Sequence, residues 1–153
     1  MAPILVPVDF GDASFQALIT AEKLAETLQC DVVIVHVTPP GAAIGEGLDA
    51  TAAHLVVDGV RDAHLVRNLR DQMAEFLKRA GGHKREVLFR RGAAAAGIVA
   101  AASEVGAQLI VIASHGRRGL ARIVLGSTAE EVVRHARCSV LTLKPDADLQ
   151  FPA

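Results

Sequence analysis

Short runs of branched apolar residues alternate along this chain with longer segments whose apolar residues recur at helical spacing, and that alternation admits few folds. Ile4-Leu5-Val6-Pro7-Val8 is the first run. A helical stretch follows to about Gln29, with Ala17, Leu18, Ala21, Leu24, Ala25 and Leu28 on one face. Asp31 to Val37 is β-branched and apolar on both faces, as a strand inside a parallel sheet must be. Beyond a loop at Pro39-Pro40-Gly41 to Gly47, for which mobility is expected, a second helix is expected over much of 52–80. Leu65, Leu69, Met73, Phe76 and Leu77 form its stripe, and Gly81-Gly82 end it. Arg85 to Arg90 reads as a less apolar strand, placed at a sheet edge. A helix over 94–105 turns Ile98, Val99, Ala102 and Val105 inward, and Gln108 to Ile112 is the most apolar strand. The last helix is expected to begin at Ser127, where Ser127-Thr128-Ala129-Glu130 has the form of a capping box, with Val132, Val133 and Ala136 facing the core. Ser139 to Leu143 is the fifth strand, and 145–153 a tail. Crossovers long enough for helices predict one α/β domain over 1–153: a doubly wound, five-stranded parallel sheet with helices on both faces and strand order 3-2-1-4-5.

Sheets of this kind bind ligands beyond the carboxyl ends of their strands, where strand order reverses. If the first and fourth strands adjoin there, Asp9 faces Ala113-Ser114-His115-Gly116-Arg117-Arg118-Gly119 across one crevice. That stretch leaves an apolar strand, and the chain then enters a helix through Gly126-Ser127-Thr128. Glycines let backbone N–H groups approach an anion, arginines add fork-shaped donors, and a helix N-terminus adds partial positive charge. The combination suits a phosphate. At least one of Arg117, Arg118 and Arg122 is expected on an anion, whereas Lys84-Arg85 and Arg90-Arg91 are expected to be solvated ends of elements.

Other chemistries lack their residues. Gly92-Ala93-Ala94-Ala95-Ala96-Gly97 has P-loop glycine spacing, but Ile98 stands where the lysine must be. No G-x-G-x-x-G follows a strand, His115 lies outside any HExxH, and no G-x-S-x-G elbow occurs. A receiver domain needs paired acids after the first strand, where Asp9 stands alone. No metal-ligand spacing and no set of nucleophile, base and orienting group is found. Sixteen basic and 17 acidic residues give a net charge of −1, so no global field recruits nucleic acid, and five Phe without Trp or Tyr offer little for stacking bases. No apolar run approaches the roughly 18 residues of a membrane span, and the N-terminus has no signal-peptide pattern. Cys30 and Cys138, outside any CxxC pattern, are expected to be small buried thiols at strand starts. A reduced cytoplasmic setting is expected.

The late segment also resembles a known signature. Ala113-Ser114-His115-Gly116, nine residues, then Gly126-Ser127 is similar to the ATP-binding motif of universal stress proteins, with Ala113 in the position of the first glycine. The resemblance runs from Ile4–Asp9 to Cys138–Lys144. It implies an ATP site, with Mg, in which Asp9 contacts the adenosine part and Val37 offers main-chain groups to the adenine edge. Pro7, Val8 and Ile112 line the strand ends, Ala113, His115, Gly116 and Arg117 cradle ribose and phosphates, and Gly126, Ser127 and Thr128 supply donors. It further implies a regulatory module without a catalytic residue, dimeric through Ser139–Leu143. The alternatives are a slow ATP hydrolase, autophosphorylation at Ser127 or Thr128, and a dimeric interaction protein with an empty site, which Ala113 favours. For the residues themselves blander roles stand alongside: Asp9 capping its turn, Ser127 capping its helix, His115 packing.

Overall fold

Side chains branched at Cβ suit a pleated surface better than a helix, and each such run forms a strand. The computed structural model describes residues 1–40, 63–81, 85–115 and 125–144. Its elements follow in the order β1 (Ile4–Pro7), α1 (Asp12–Leu28), β2 (Val32–Thr38), α2 (Ala63–Arg79), β3 (Glu86–Arg91), α3 (Ala94–Glu104), β4 (Leu109–Ala113), α4 (Ser127–His135) and β5 (Ser139–Leu143). The strands pair in parallel, in the order β3-β2-β1-β4-β5. That is the expected doubly wound sheet, with β3 at one edge and β5 at the other.

The sheet separates two cores. Ile4, Val6, Val8, Ile34 and Val111 pack with Ala17 and Leu18 of α1 and with Leu69, Met73 and Phe76 of α2. Leu5, Val33, Val35, Ile110 and Ile112 pack with Ile98 and Ala102 of α3 and with Ala129 and Val132 of α4. Successive residues of a strand point to opposite faces, so β1 feeds both cores, and Ile4, Leu5 and Val6 are wholly buried. Each such side chain contributes about 1.5–3 kcal/mol relative to exposure. α1 ends at Gln29 in the left-handed conformation (φ 53°), and Gly81, just after α2, supplies another positive φ (91°).

Several expectations are corrected. The N-cap of α4 is Gly126, with extended backbone and no side-chain capping bond, so Ser127 is already the first helical residue. The capping box therefore does not form, and Glu130 instead pairs with Arg134 one turn on, at 2.8 Å. Val133 and Leu28 turn outward, 48% and 41% exposed. Arg85 and Arg90 are not solvated ends: Arg85 pairs with Glu22, and buried Arg90 pairs with Glu104 at 2.7 Å. Cys30 and Cys138 are free and half-buried, and burial pushes the Cys138 thiol pKa up, partly opposed by a backbone hydrogen bond. The loop over 41–47, the second helix before residue 63, the side chain of Leu65, Gly82 and the 145–153 tail lie outside the described residues.

Candidate functional site at the carboxyl ends of β1, β2 and β4

Proline has no N–H to give to a neighbouring strand, and one proline shapes this end of the sheet. β1 pairs with β2 as far as Pro7↔Val35, but with β4 only as far as Leu5↔Ile110. Along a parallel strand the backbone groups of successive residues point alternately to the two neighbours. Val8 N–H bonds the Val35 carbonyl on β2 (2.9 Å), so residue 7 faces β4, where its missing donor stops the ladder. The first and fourth strands are indeed neighbours, and their hydrogen-bonded ladder stops short of their carboxyl ends. The order β3-β2-β1-β4-β5 makes this the point where strand order reverses.

On the β1 side, Asp9 closes a tight turn. Its Oδ1 accepts the Gly11 N–H at 2.9 Å and the Ser14 hydroxyl at 2.8 Å. Turn capping is thus one of its roles, while Oδ2 has no protein partner among the described residues. Phe10 takes the left-handed conformation (φ 65°), rare for a bulky side chain. Its ring lies 4.5 Å from that of His36 and edge-on to Phe76 at 5.9 Å. His36 donates from Nδ1 to the Val8 carbonyl at 2.8 Å, closing the end of β1 onto β2. Val37 points its N–H and C=O in the same direction as Val35, past the last bond that β1 makes. Its side chain turns toward α3, where it touches Gly97.

On the β4 side, Ala113 is the last strand residue and pairs with Leu143. Its backbone is ordinary strand, so alanine in the glycine position adds a methyl group and no backbone strain. Ser114, 5% exposed, joins three elements. Its N–H bonds the Leu143 carbonyl (2.7 Å), its carbonyl accepts the Gly126 N–H (2.6 Å), and its Oγ hydrogen-bonds His115 Nδ1 (2.9 Å). A Cβ at Gly126 would stand 2.9 Å from the Ser114 carbonyl oxygen, so the approach of α4 to the end of β4 requires glycine. The first helical bond is Glu130 N–H to Gly126 C=O (2.9 Å). The N–H groups of Ser127, Thr128 and Ala129 therefore lack intrahelical acceptors, and they carry the positive end of the helix dipole. Gly126 itself is not a free donor, because its N–H already serves Ser114.

The structure thus gathers Pro7, Val8, Asp9, Val37, Ile112, Ala113, His115, Gly126, Ser127 and Thr128 at one end of the sheet. Gly116 and Arg117, with Arg118 and Arg122, lie outside the described residues. Sequence reasoning missed Ser114 as the organising residue, and it missed Phe10. Ser114 carried a legible signal, a small polar residue directly after a buried strand. Phe10 carried none, since Gly11 beside it is the natural candidate for a positive φ. A groove of about 400 Å³, lined by Phe10, Asp71, Gln72, Glu75, Phe76 and Arg79, lies against α2. Among the described residues no group of three or more His, Cys, Asp or Glu is placed to hold a metal, and no helix is long and apolar enough to cross a membrane.

A doubly wound parallel sheet with a helix N-terminus held at its switch point defines an α/β protein of the doubly wound class. The chain belongs to the universal stress protein family, whose model matches residues 1–144. It is 30% identical over 144 residues to universal stress protein MJ0531 of Methanocaldococcus jannaschii, a match covering 92% of this chain and 81% of that one. Among solved structures it is similar to UspA from Lactobacillus plantarum, at 26% identity and a TM-score of 0.66, covering 93% of this chain and 97% of that one. It is also similar to the universal stress protein from Archaeoglobus fulgidus in complex with dAMP, at 25% identity and a TM-score of 0.64, again covering 93% and 97%.

Proposed function

We propose that the protein binds an adenine nucleotide, ATP with its magnesium, across the carboxyl ends of β2, β1 and β4, and acts as a nucleotide-responsive regulator rather than a fast enzyme. The observation that carries the proposal is the Gly126–Ser114 hydrogen bond, which sets the uncapped first turn of α4 beside the point where Pro7 stops the ladder. In this arrangement Val37 meets the base, Asp9 Oδ2 takes a ribose hydroxyl, and the N–H groups of Ser127, Thr128 and Ala129 with the Thr128 hydroxyl receive phosphate oxygens. Pro7, Val8 and Ile112 line the strand ends, and Ala113, His115, Gly116 and Arg117 complete the cradle. Magnesium accompanies the triphosphate as its counter-ion. The dAMP complex of the Archaeoglobus relative supports an adenine nucleotide. That Ala113 sits in unstrained strand backbone supports an occupied site over an empty one.

Isothermal titration of the purified protein with dAMP and MgATP tests the proposal. Saturable binding is expected, and Gly126→Val should weaken it more than tenfold, because the new side chain meets the Ser114 carbonyl and pushes α4 away. Unchanged affinity in that variant would place the site elsewhere. Steady-state phosphate release should stay below the median enzyme rate of about 10 per second, and faster turnover would favour a hydrolase.

A further inference from the structure

Gly92 and Gly97 frame a glycine spacing that the nucleotide site leaves unused. Gly97 stands inside α3, a helix otherwise rich in alanine: Ala94, Ala95, Ala96, Ala100, Ala101 and Ala102. Alanine is the better residue in a helix interior, so one glycine among these alanines calls for a reason. Conformation does not supply it. Among the described residues the glycines with positive φ are Gly81, Gly92 and Gly106, while Gly97 is helical and bonds the Ala93 carbonyl at 3.0 Å. Space supplies it: a Cβ at residue 97 would stand 3.0 Å from both Cγ1 and Cγ2 of Val37.

We propose that Gly97 is a positioning residue for base recognition. By letting α3 close onto Val37, it holds the end of β2 where the Val37 N–H and C=O meet the base, and so sets the preference for adenine over guanine. The inference rests on the nucleotide reading above. An N–H beside a C=O complements the adenine edge, an acceptor at N1 beside an amino donor at N6. Guanine presents the reverse, a donor at N1 beside an acceptor at O6, and leaves both main-chain groups facing like partners. A methyl group on residue 97 displaces Val37 by a few tenths of an ångström, enough to loosen such a pair while the fold survives.

Dissociation constants for ATP and GTP, measured by calorimetry well below each melting temperature, test the proposal on the wild type, Gly97→Ala, Val37→Ala and the double variant. The wild type should prefer ATP by at least about tenfold, since guanine leaves both main-chain groups of Val37 unpaired. Gly97→Ala should cut that ratio about fivefold, and adding Val37→Ala, which removes the colliding methyl groups, should restore it to within about twofold. A glycine needed only for helix packing would lower the melting temperature and leave the ratio unchanged. That result overturns the proposal, as do a double variant no better than Gly97→Ala alone and a wild type that takes GTP as tightly as ATP. A wild type that binds neither nucleotide overturns the nucleotide reading itself, and this inference with it.

Discussion

Asp9 holds its turn through one carboxylate oxygen, and the proposal gives the other to a ribose hydroxyl, so the observed and the proposed role separate by substitution. Asp9→Ala strips the acceptor from the Gly11 N–H, while the Ser14 hydroxyl keeps the Gly11 carbonyl at 3.0 Å. It should cost about 1–2 kcal/mol in chemical denaturation, the penalty for one donor left unmet and one hydrogen bond lost. Asp9→Asn keeps an oxygen in place and should stay within about 1 kcal/mol of wild type, while losing nucleotide affinity through the missing charge. If both variants unfold alike, the charge and not the turn geometry holds this corner. Ala113 invites the opposite substitution. Its strand conformation gives glycine nothing to relieve, so Ala113→Gly should destabilise by about 0.5–1 kcal/mol and leave dAMP affinity within a few-fold. Asp9 was legible in the sequence as an acid after a buried strand. Its division between turn and site was not, because a sequence does not say which oxygen a neighbouring Ser14 will claim.

At the scale of elements, α4 shows how tertiary contacts override a local signal. Ser127 and Glu130 have capping-box spacing, and the helix does begin at Ser127, yet Ser127 is its first helical residue and not its cap: the Gly126 N–H is drawn to the Ser114 carbonyl and the extended backbone of Gly126 serves as the cap. Ser127→Ala should therefore change stability by less than about 0.5 kcal/mol, against about 1 kcal/mol for the loss of a true cap. Gly126→Ala should cost more than Ser127→Ala, about 1–3 kcal/mol, since its Cβ meets backbone that cannot rotate away. Paired urea titrations of the two variants decide the matter, and a larger loss for Ser127→Ala would restore the capping box. The strands and helices themselves were legible because their periodicities are strong, and the edge position of β3 followed from its charges. Arg85 and Arg90 misled because a charged residue beside a strand looks solvated until Glu22 and Glu104 are seen to meet it.

At the scale of the whole molecule, β5 is an edge strand carrying half-buried Val140 and Leu141, and unpaired edges invite pairing with another chain. A homodimer through Ser139–Leu143 is expected by light scattering at micromolar concentration, and Val140→Pro should dissociate it, since the Leu143 carbonyl bonds β4 and the N–H of residue 140 therefore faces the open edge. A monomeric wild type, or a dimer indifferent to the proline, would put the interface elsewhere. Nucleotide at about 100 times its dissociation constant should add about 2.7 kcal/mol of stability, visible as a raised melting temperature. The sheet order was legible from alternation and crossover length; the early end of the β1–β4 ladder was not, since it depends on which neighbour residue 7 happens to face. That early end has a kinetic consequence. Where β1 and β4 share no hydrogen bonds, none has to break for a ligand to enter between the described strand ends, so entry there needs no unzipping step. In stopped-flow mixing the observed rate of nucleotide association should climb in proportion to ligand concentration without a plateau, and a plateau would reveal a closed state that must open first.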